Sequence, residues 1–155
     1  MLKYKKKVDS ILSWILTILL SVMVIDVIWG VFTRYVLTEQ SSWTDELARF
    51  LMIWVGVLGG AFASGQNKHI AIDLISNYIK PLNRERLRIF GNIIIIIFIS
   101  AIFLVGGLRY VYISFYLGQR SPALNIPMGV VYNIFPIAGF IIIYYRICKI
   151  KNKDI

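Results

Sequence analysis

Apolar residues fill four long stretches of this chain, and the polar positions are crowded between them. The stretches run from Val8 to Val36 (densest between Ile11 and Phe32), Trp43 to Ser64, Leu87 to Val111 and Ile126 to Ile147. Within the third, Ile93 to Val105 reads IIIIIFISAIFLV, where Ser100 is the only polar side chain. A helix of a water-soluble bundle keeps a polar face, and this segment has none. Each stretch is long enough, at about 1.5 Å per residue, to cross a hydrocarbon core of about 30 Å. Strands would leave their backbone groups unpaired in lipid, so the pattern predicts four transmembrane helices. The first exceeds the bilayer's need, which predicts tilt or protrusion. The expected fold is an all-α integral membrane protein forming a single domain over residues 1–155.

A shorter periodic element lies between the second and third spans. In IAIDLISNYIKP, beginning at Ile70, the residues Ala71, Leu74, Ile75, Tyr78 and Ile79 share one helical face, and Pro81 ends the run. A helix over about 70–80 is too short to span. It suits either the membrane interface or a loop helix packed on the bundle.

Charge then orients the spans. Of the 17 Lys and Arg residues, 13 fall on one side: Lys3, Lys5, Lys6 and Lys7 before span one, Lys68, Lys80, Arg84, Arg86 and Arg88 between spans two and three, and Arg146, Lys149, Lys151 and Lys153 after span four. The other side has Arg34, Arg49, Arg109 and Arg120. The positive-inside rule predicts that both termini and the middle loop are cytoplasmic. Lys68, His69, Lys80, Arg84, Arg86 and Arg88 are expected to anchor that face at the lipid headgroups. The net charge of +9 is thereby assigned to the membrane surface and not to nucleic acid. One cysteine, Cys148, and one histidine, His69, leave neither an internal disulfide nor a thiolate or His-rich metal site. The first span is too long for the core of a cleavable signal peptide.

A few polar residues stand out against this background. Asp26 sits inside span one, where a carboxylate is costly unless paired, protonated or facing a polar cavity. Three readings stay open: an anchor against another helix or subunit, a proton or sodium site, and a position close to the outer headgroups. A lone carboxylate supplies too few oxygens for a metal cage. Segment SWTDELAR, Ser42 to Arg49, is the densest polar cluster. Ser42 with Asp45 has the spacing of a helix N-cap, and Glu46 with Arg49 lies on one face. Arg34 is a further partner for Asp45 or Glu46. These four residues are expected to form an outer charged network that also docks a partner. No pocket or substrate platform accompanies the two carboxylates, so catalysis is not expected. In span two, Gly56, Gly60 and Ser64 repeat every fourth residue beside Gly59, a ladder suited to close helix packing in lipid. In span four, Pro136 should bend the helix by removing a backbone donor. Gly118 and Pro122 mark a turn in the outer loop, and Pro127 suits the first turn of span four.

The same residues carry a family resemblance. Arg34-Tyr35, the run Trp43 to Arg49, Trp54 with Gly56, Gly59 and Gly60, and GQNKHIAID from Gly65 to Asp73 recur in order and spacing, followed by Ser121-Pro122-Ala123-Leu124, Pro127, Tyr132 and Pro136. Together they resemble the small, DctQ-type membrane subunit of a tripartite ATP-independent periplasmic (TRAP) transporter. The resemblance implies a bacterial inner-membrane component of a sodium-coupled secondary transporter for organic acids, such as sialic acid or a C4-dicarboxylate. It also implies a large membrane subunit that carries the substrate and sodium and moves as an elevator, and a periplasmic substrate-binding protein. This chain would bind no cofactor, catalyse nothing and act as a scaffold among its partners and membrane lipids. Because it ends after span four, it resembles the separately encoded form. The competing readings are a stand-alone small transporter or channel, which needs a polar path through the spans, and a membrane assembly factor.

Overall fold

The computed structural model describes residues 2–37, 41–66 and 81–151. Six α-helices occupy these segments: α1 (Leu2–Tyr35), α2 (Ser42–Gly65), α3 (Pro81–Ile99), α4 (Gly107–Tyr116), α5 (Met128–Tyr132) and α6 (Ile134–Lys151). A π-helical stretch, Ser100–Gly106, joins α3 to α4 without a break, and α5 runs into α6 through Asn133. Counted by length and composition, they make the four long apolar helices of a multi-pass membrane protein. Both α1 and the α3–α4 helix run well past the 30 Å hydrocarbon core, since 34 residues already reach about 51 Å. The interfacial helix expected over 70–80 lies outside the described residues, with Lys68, His69 and Lys80, as do the side chains of Arg84 and Arg88. Arg86 is exposed on α3.

The fourth span is the centre of the bundle and has by far the largest buried share. Ile134, Ala138, Ile142 and Tyr145 of α6 are buried between two clusters of apolar side chains. One cluster gathers Leu12 of α1 and Leu58 of α2 around Ile134 and Tyr145. The other gathers Ala61 of α2 and Ile99 of α3 around Ala138 and Ile142. By contrast α1 buries little, and Trp14, Ile18, Ile25, Ile28 and Trp29 face outward along it.

Two helix irregularities meet in this core. Pro136 has no N–H to give to the preceding turn, and the break between α5 and α6 falls at Asn133, in the turn that its ring crowds. Opposite it, the widened turn of Ser100–Gly106 ends at Gly107, where a Cβ would lie 3.1 Å from Pro136 Cδ. A Cβ at Gly139 would lie 2.9 Å from Phe103 in the same widened turn. The break in one span thus packs against the π-bulge of its neighbour. Trp54 on α2 donates its indole N–H to the Val131 carbonyl at 3.0 Å, tying α2 to the turn before the break.

Candidate functional site

The polar residues separate into two groups at opposite ends of the bundle. One end carries the start of α1, the end of α2, the start of α3 and the end of α6, and is called the terminal end below. The other, the loop end, carries residues 117–127.

At the loop end, Ser121 donates its N–H to the Ile126 carbonyl at 2.9 Å, and Met128 donates to Gln119 at 2.9 Å. Arg120 and Pro127 form an antiparallel bridge, so the chain folds back on itself as a small hairpin-like loop. Its tight corners use left-handed backbone at Gly118 (φ 59°) and Asn125 (φ 55°). Glycine adopts that region freely and asparagine tolerates it. Glu46 of α2 reaches into the tip of the loop. Its Oε2 accepts hydrogen bonds from the backbone N–H groups of Ala123 at 3.0 Å and Leu124 at 2.8 Å. A carboxylate receiving two backbone amides is a charge-assisted clamp. The Ser-Pro-Ala-Leu sequence is the segment that Glu46 holds.

The expected charged network is divided accordingly. Arg34 approaches Asp45 at 3.7 Å, with both side chains about half exposed, a pairing that water and salt weaken. Glu46 is given to the loop amides. Arg49, one turn further along α2, lines the clefts on either side of Glu46. The first cleft is open, about 550 Å³, and is bounded by Ser42, Asp45, Glu46, Arg49 and Pro122. The second, about 580 Å³, lies between Arg49, Arg120, Tyr110 and Tyr132. These clefts were not legible as a pocket in the sequence, because they exist only where the loop folds over α2. The expected N-cap also differs. Ser42 is already helical, Ser41 occupies the cap position without a side-chain cap bond, and Thr44 donates its hydroxyl back to the Ser41 carbonyl at 2.7 Å.

Asp26 is buried at 5% exposure, roughly 13 Å below the loop-end terminus of α1. Neither of its oxygens receives a hydrogen bond from a described residue. It lines a cavity of about 210 Å³ between α1 and α2, together with Gly30, Arg34, Thr44 and Asp45. Among the described residues, therefore, no hydrogen bond makes it an anchor.

The glycine ladder takes a different place from the glycines of the core. A Cβ at Gly56, Gly59 or Gly60 would meet nothing within 4 Å, so this face of α2 packs on no other part of the described chain. Close approach inside the chain occurs instead at Gly65, Gly107, Gly129 and Gly139. At Gly65 a Cβ would come within 2.7 Å of the Tyr145 ring. Ser64 contributes its backbone, as described next.

The terminal end holds a set of bonds that sequence reasoning missed. Tyr145 of α6 donates its hydroxyl to Asp9 of α1. Lys149 donates its ammonium to the carbonyls of Ser64 at 3.0 Å and Gln66 at 3.3 Å, at the C-terminus of α2. A cation placed there meets both the unpaired carbonyls and the negative end of the helix dipole. Arg146 donates to Asn92 Oδ1 of α3 at 3.3 Å. Arg146 and Lys149, counted in the sequence only among the basic residues after span four, are buried at 7% and 5% exposure. The available signal was continuity: α6 runs to Lys151, and Tyr145, Arg146 and Lys149 recur at helical spacing on it. Among the described residues no three His, Cys, Asp or Glu side chains gather as a metal would need.

Comparison with known proteins gives this architecture its relatives. Three bacterial proteins are similar along most of their length. The "Putative TRAP transporter small permease protein" of Haemophilus influenzae is 26% identical over 124 residues, covering 80% of this chain and 75% of that protein. The "Sialic acid TRAP transporter small permease protein SiaQ" of Vibrio cholerae is 28% identical over 141 residues, 86% of this chain and 82% of that protein. The "Ectoine TRAP transporter small permease protein TeaB" of Halomonas elongata is 27% identical over 154 residues, 94% of this chain and 77% of that protein. The family described as "Tripartite ATP-independent periplasmic transporters, DctQ component" matches residues 11–153. Matched from the first turns of α1 to beyond the end of α6, the chain belongs to the DctQ component family of TRAP transporters, as a small membrane subunit.

Proposed function

We propose that this chain is the stationary scaffold subunit of a sodium-coupled TRAP transporter for organic acids in the bacterial inner membrane. It works beside a large membrane subunit that carries substrate and sodium, and helps a periplasmic binding protein to dock. The observation that carries this reading is the family match over residues 11–153. The bare face of α2 at Gly56, Gly59 and Gly60 supports it. Where lipid offers no hydrophobic drive between helices, small residues let a partner helix approach closely.

In this reading the terminal end is cytoplasmic and the loop end periplasmic, which the excess of Lys and Arg around the termini and middle loop supports. At the loop end, Arg34, Asp45, Glu46 and Arg49 and the loop clamped by Glu46 form the platform offered to the binding protein. Relatives of nearly equal identity are named for sialic acid and for ectoine, so likeness alone does not choose the substrate. An organic acid, sialic acid or a C4-dicarboxylate, is the class proposed here.

Co-expression with the large subunit tests the reading. The two chains should purify together in mild detergent, and uptake into proteoliposomes should require both, the binding protein and a sodium gradient. Uptake by this chain alone would favour a stand-alone transporter. Glu46→Lys should release the loop, seen as faster hydrogen exchange at Ala123 and Leu124, and should lower uptake. Unchanged exchange and uptake would remove Glu46 from the proposed platform.

A further inference from the structure

The cavity between α1 and α2 poses a problem that the chain does not solve by itself. Asp26 is a carboxylate with 5% of its surface exposed, and neither of its oxygens has a donor among the described residues. Bringing such a group out of water costs several kcal/mol unless a counter-charge or proton offsets it. The cation on the cavity wall, Arg34, turns to Asp45. The hydroxyl on the wall, Thr44, gives its proton away from the carboxylate, to the Ser41 carbonyl. The walls thus present two carboxylates and one guanidinium, an acceptor-rich space with an excess of negative charge.

The chemistry of the walls selects the occupant. A metal cation needs six or more oxygens in a cage, and one free carboxylate with a hydroxyl falls far short. A guanidinium needs only one carboxylate edge, which it meets with two parallel N–H···O bonds, and both edges of that match are open on Asp26. The space of about 210 Å³ corresponds to roughly seven waters, enough for a guanidinium and the end of its stem. Val27 and Val31, also on the wall, are 48% and 53% exposed. The cavity therefore borders the lateral surface that a membrane neighbour covers. We propose that Asp26 is the acceptor for an arginine guanidinium that the large membrane subunit inserts between α1 and α2. This inference rests on the scaffold reading above and adds a charged latch to it.

The test compares wild-type chain with Asp26→Asn, each co-expressed with the large subunit. Asparagine keeps the size of the side chain and removes the charge. Recovery of the complex should fall at least roughly ten-fold, as expected when one partner of a buried charge pair is lost. The variant chain purified alone should keep the helicity and thermal midpoint of the wild type, or gain in midpoint. Equal recovery of both complexes would overturn the latch and assign Asp26 to a proton or to water, while leaving the scaffold reading intact. Failure of the wild-type chain itself to bind the large subunit would overturn the scaffold reading. Should the asparagine chain misfold, neutralising the large subunit's Arg and Lys residues singly to Gln keeps the latch falsifiable. One of them should reproduce the loss, and its effect should not add to that of Asp26→Asn. Complete absence of such a residue would overturn the latch.

Discussion

The two ends of the bundle treat polar groups in opposite ways. At the terminal end, Asp9, Asn92, Arg146 and Lys149 come from three helices, and Tyr145, Lys149 and Arg146 bind them and the end of α2 to the central span. At the loop end the charged side chains stay near the surface, and the deeply buried Asp26 is bound by no described residue. The glycines divide the same way along α2. Gly65, toward the terminal end, is closed over by Tyr145, whereas Gly56, Gly59 and Gly60 lie open. A bundle locked at one end and open along a face near the other is suited to hold still while something else binds to it. The difference separates the polar groups that the chain satisfies itself from those the proposed scaffold role leaves to a partner.

The sharpest way to break that comparison is to place the same substitution on each kind of glycine. Gly65→Leu must displace a ring held by Asp9, and should destabilise the isolated chain by about 3 kcal/mol, read from thermal unfolding in detergent. Gly60→Leu should leave that midpoint within about 0.5 kcal/mol and instead reduce recovery of the large subunit. Equal effects on the isolated chain would erase the distinction between inward and outward glycines. A smaller change is expected for Tyr145→Phe, which removes a single hydrogen bond at the locked end and should cost about 1 kcal/mol. The smallest belongs to Arg34→Ala. Its exposed pairing with Asp45 should be worth less than about 0.5 kcal/mol and should vanish in high salt. A large, salt-independent loss there would mean that the loop end is locked as well.

How much of this was legible in sequence follows from the range of each interaction. The four spans were, because a run such as IIIIIFISAIFLV can only be buried in lipid or protein. The interruption of span four one turn before Pro136 was legible because its cause is local. The charged cluster Ser42 to Arg49 was visible as a cluster, but its division was not. Glu46 binds residues 77 and 78 positions away, a pairing that no local spacing encodes. The same holds for Tyr145 with Asp9 and for Lys149 with the end of α2. Arg146 and Lys149 counted only as basic residues flanking span four, which the positive-inside rule tallies without regard to burial. Here the central position of α6 keeps them inside. The small-residue ladder was readable as a packing motif, and only the fold showed that its partner is not another part of the described chain.

The most direct test of the scaffold role places a photo-reactive side chain at Gly60 in cells that express the whole transport system. Illumination should capture the large membrane subunit, with the same attachment point before and during transport. Capture of lipid alone, or an attachment point that slides along the large subunit as substrate moves, would contradict a fixed partner on this face of α2.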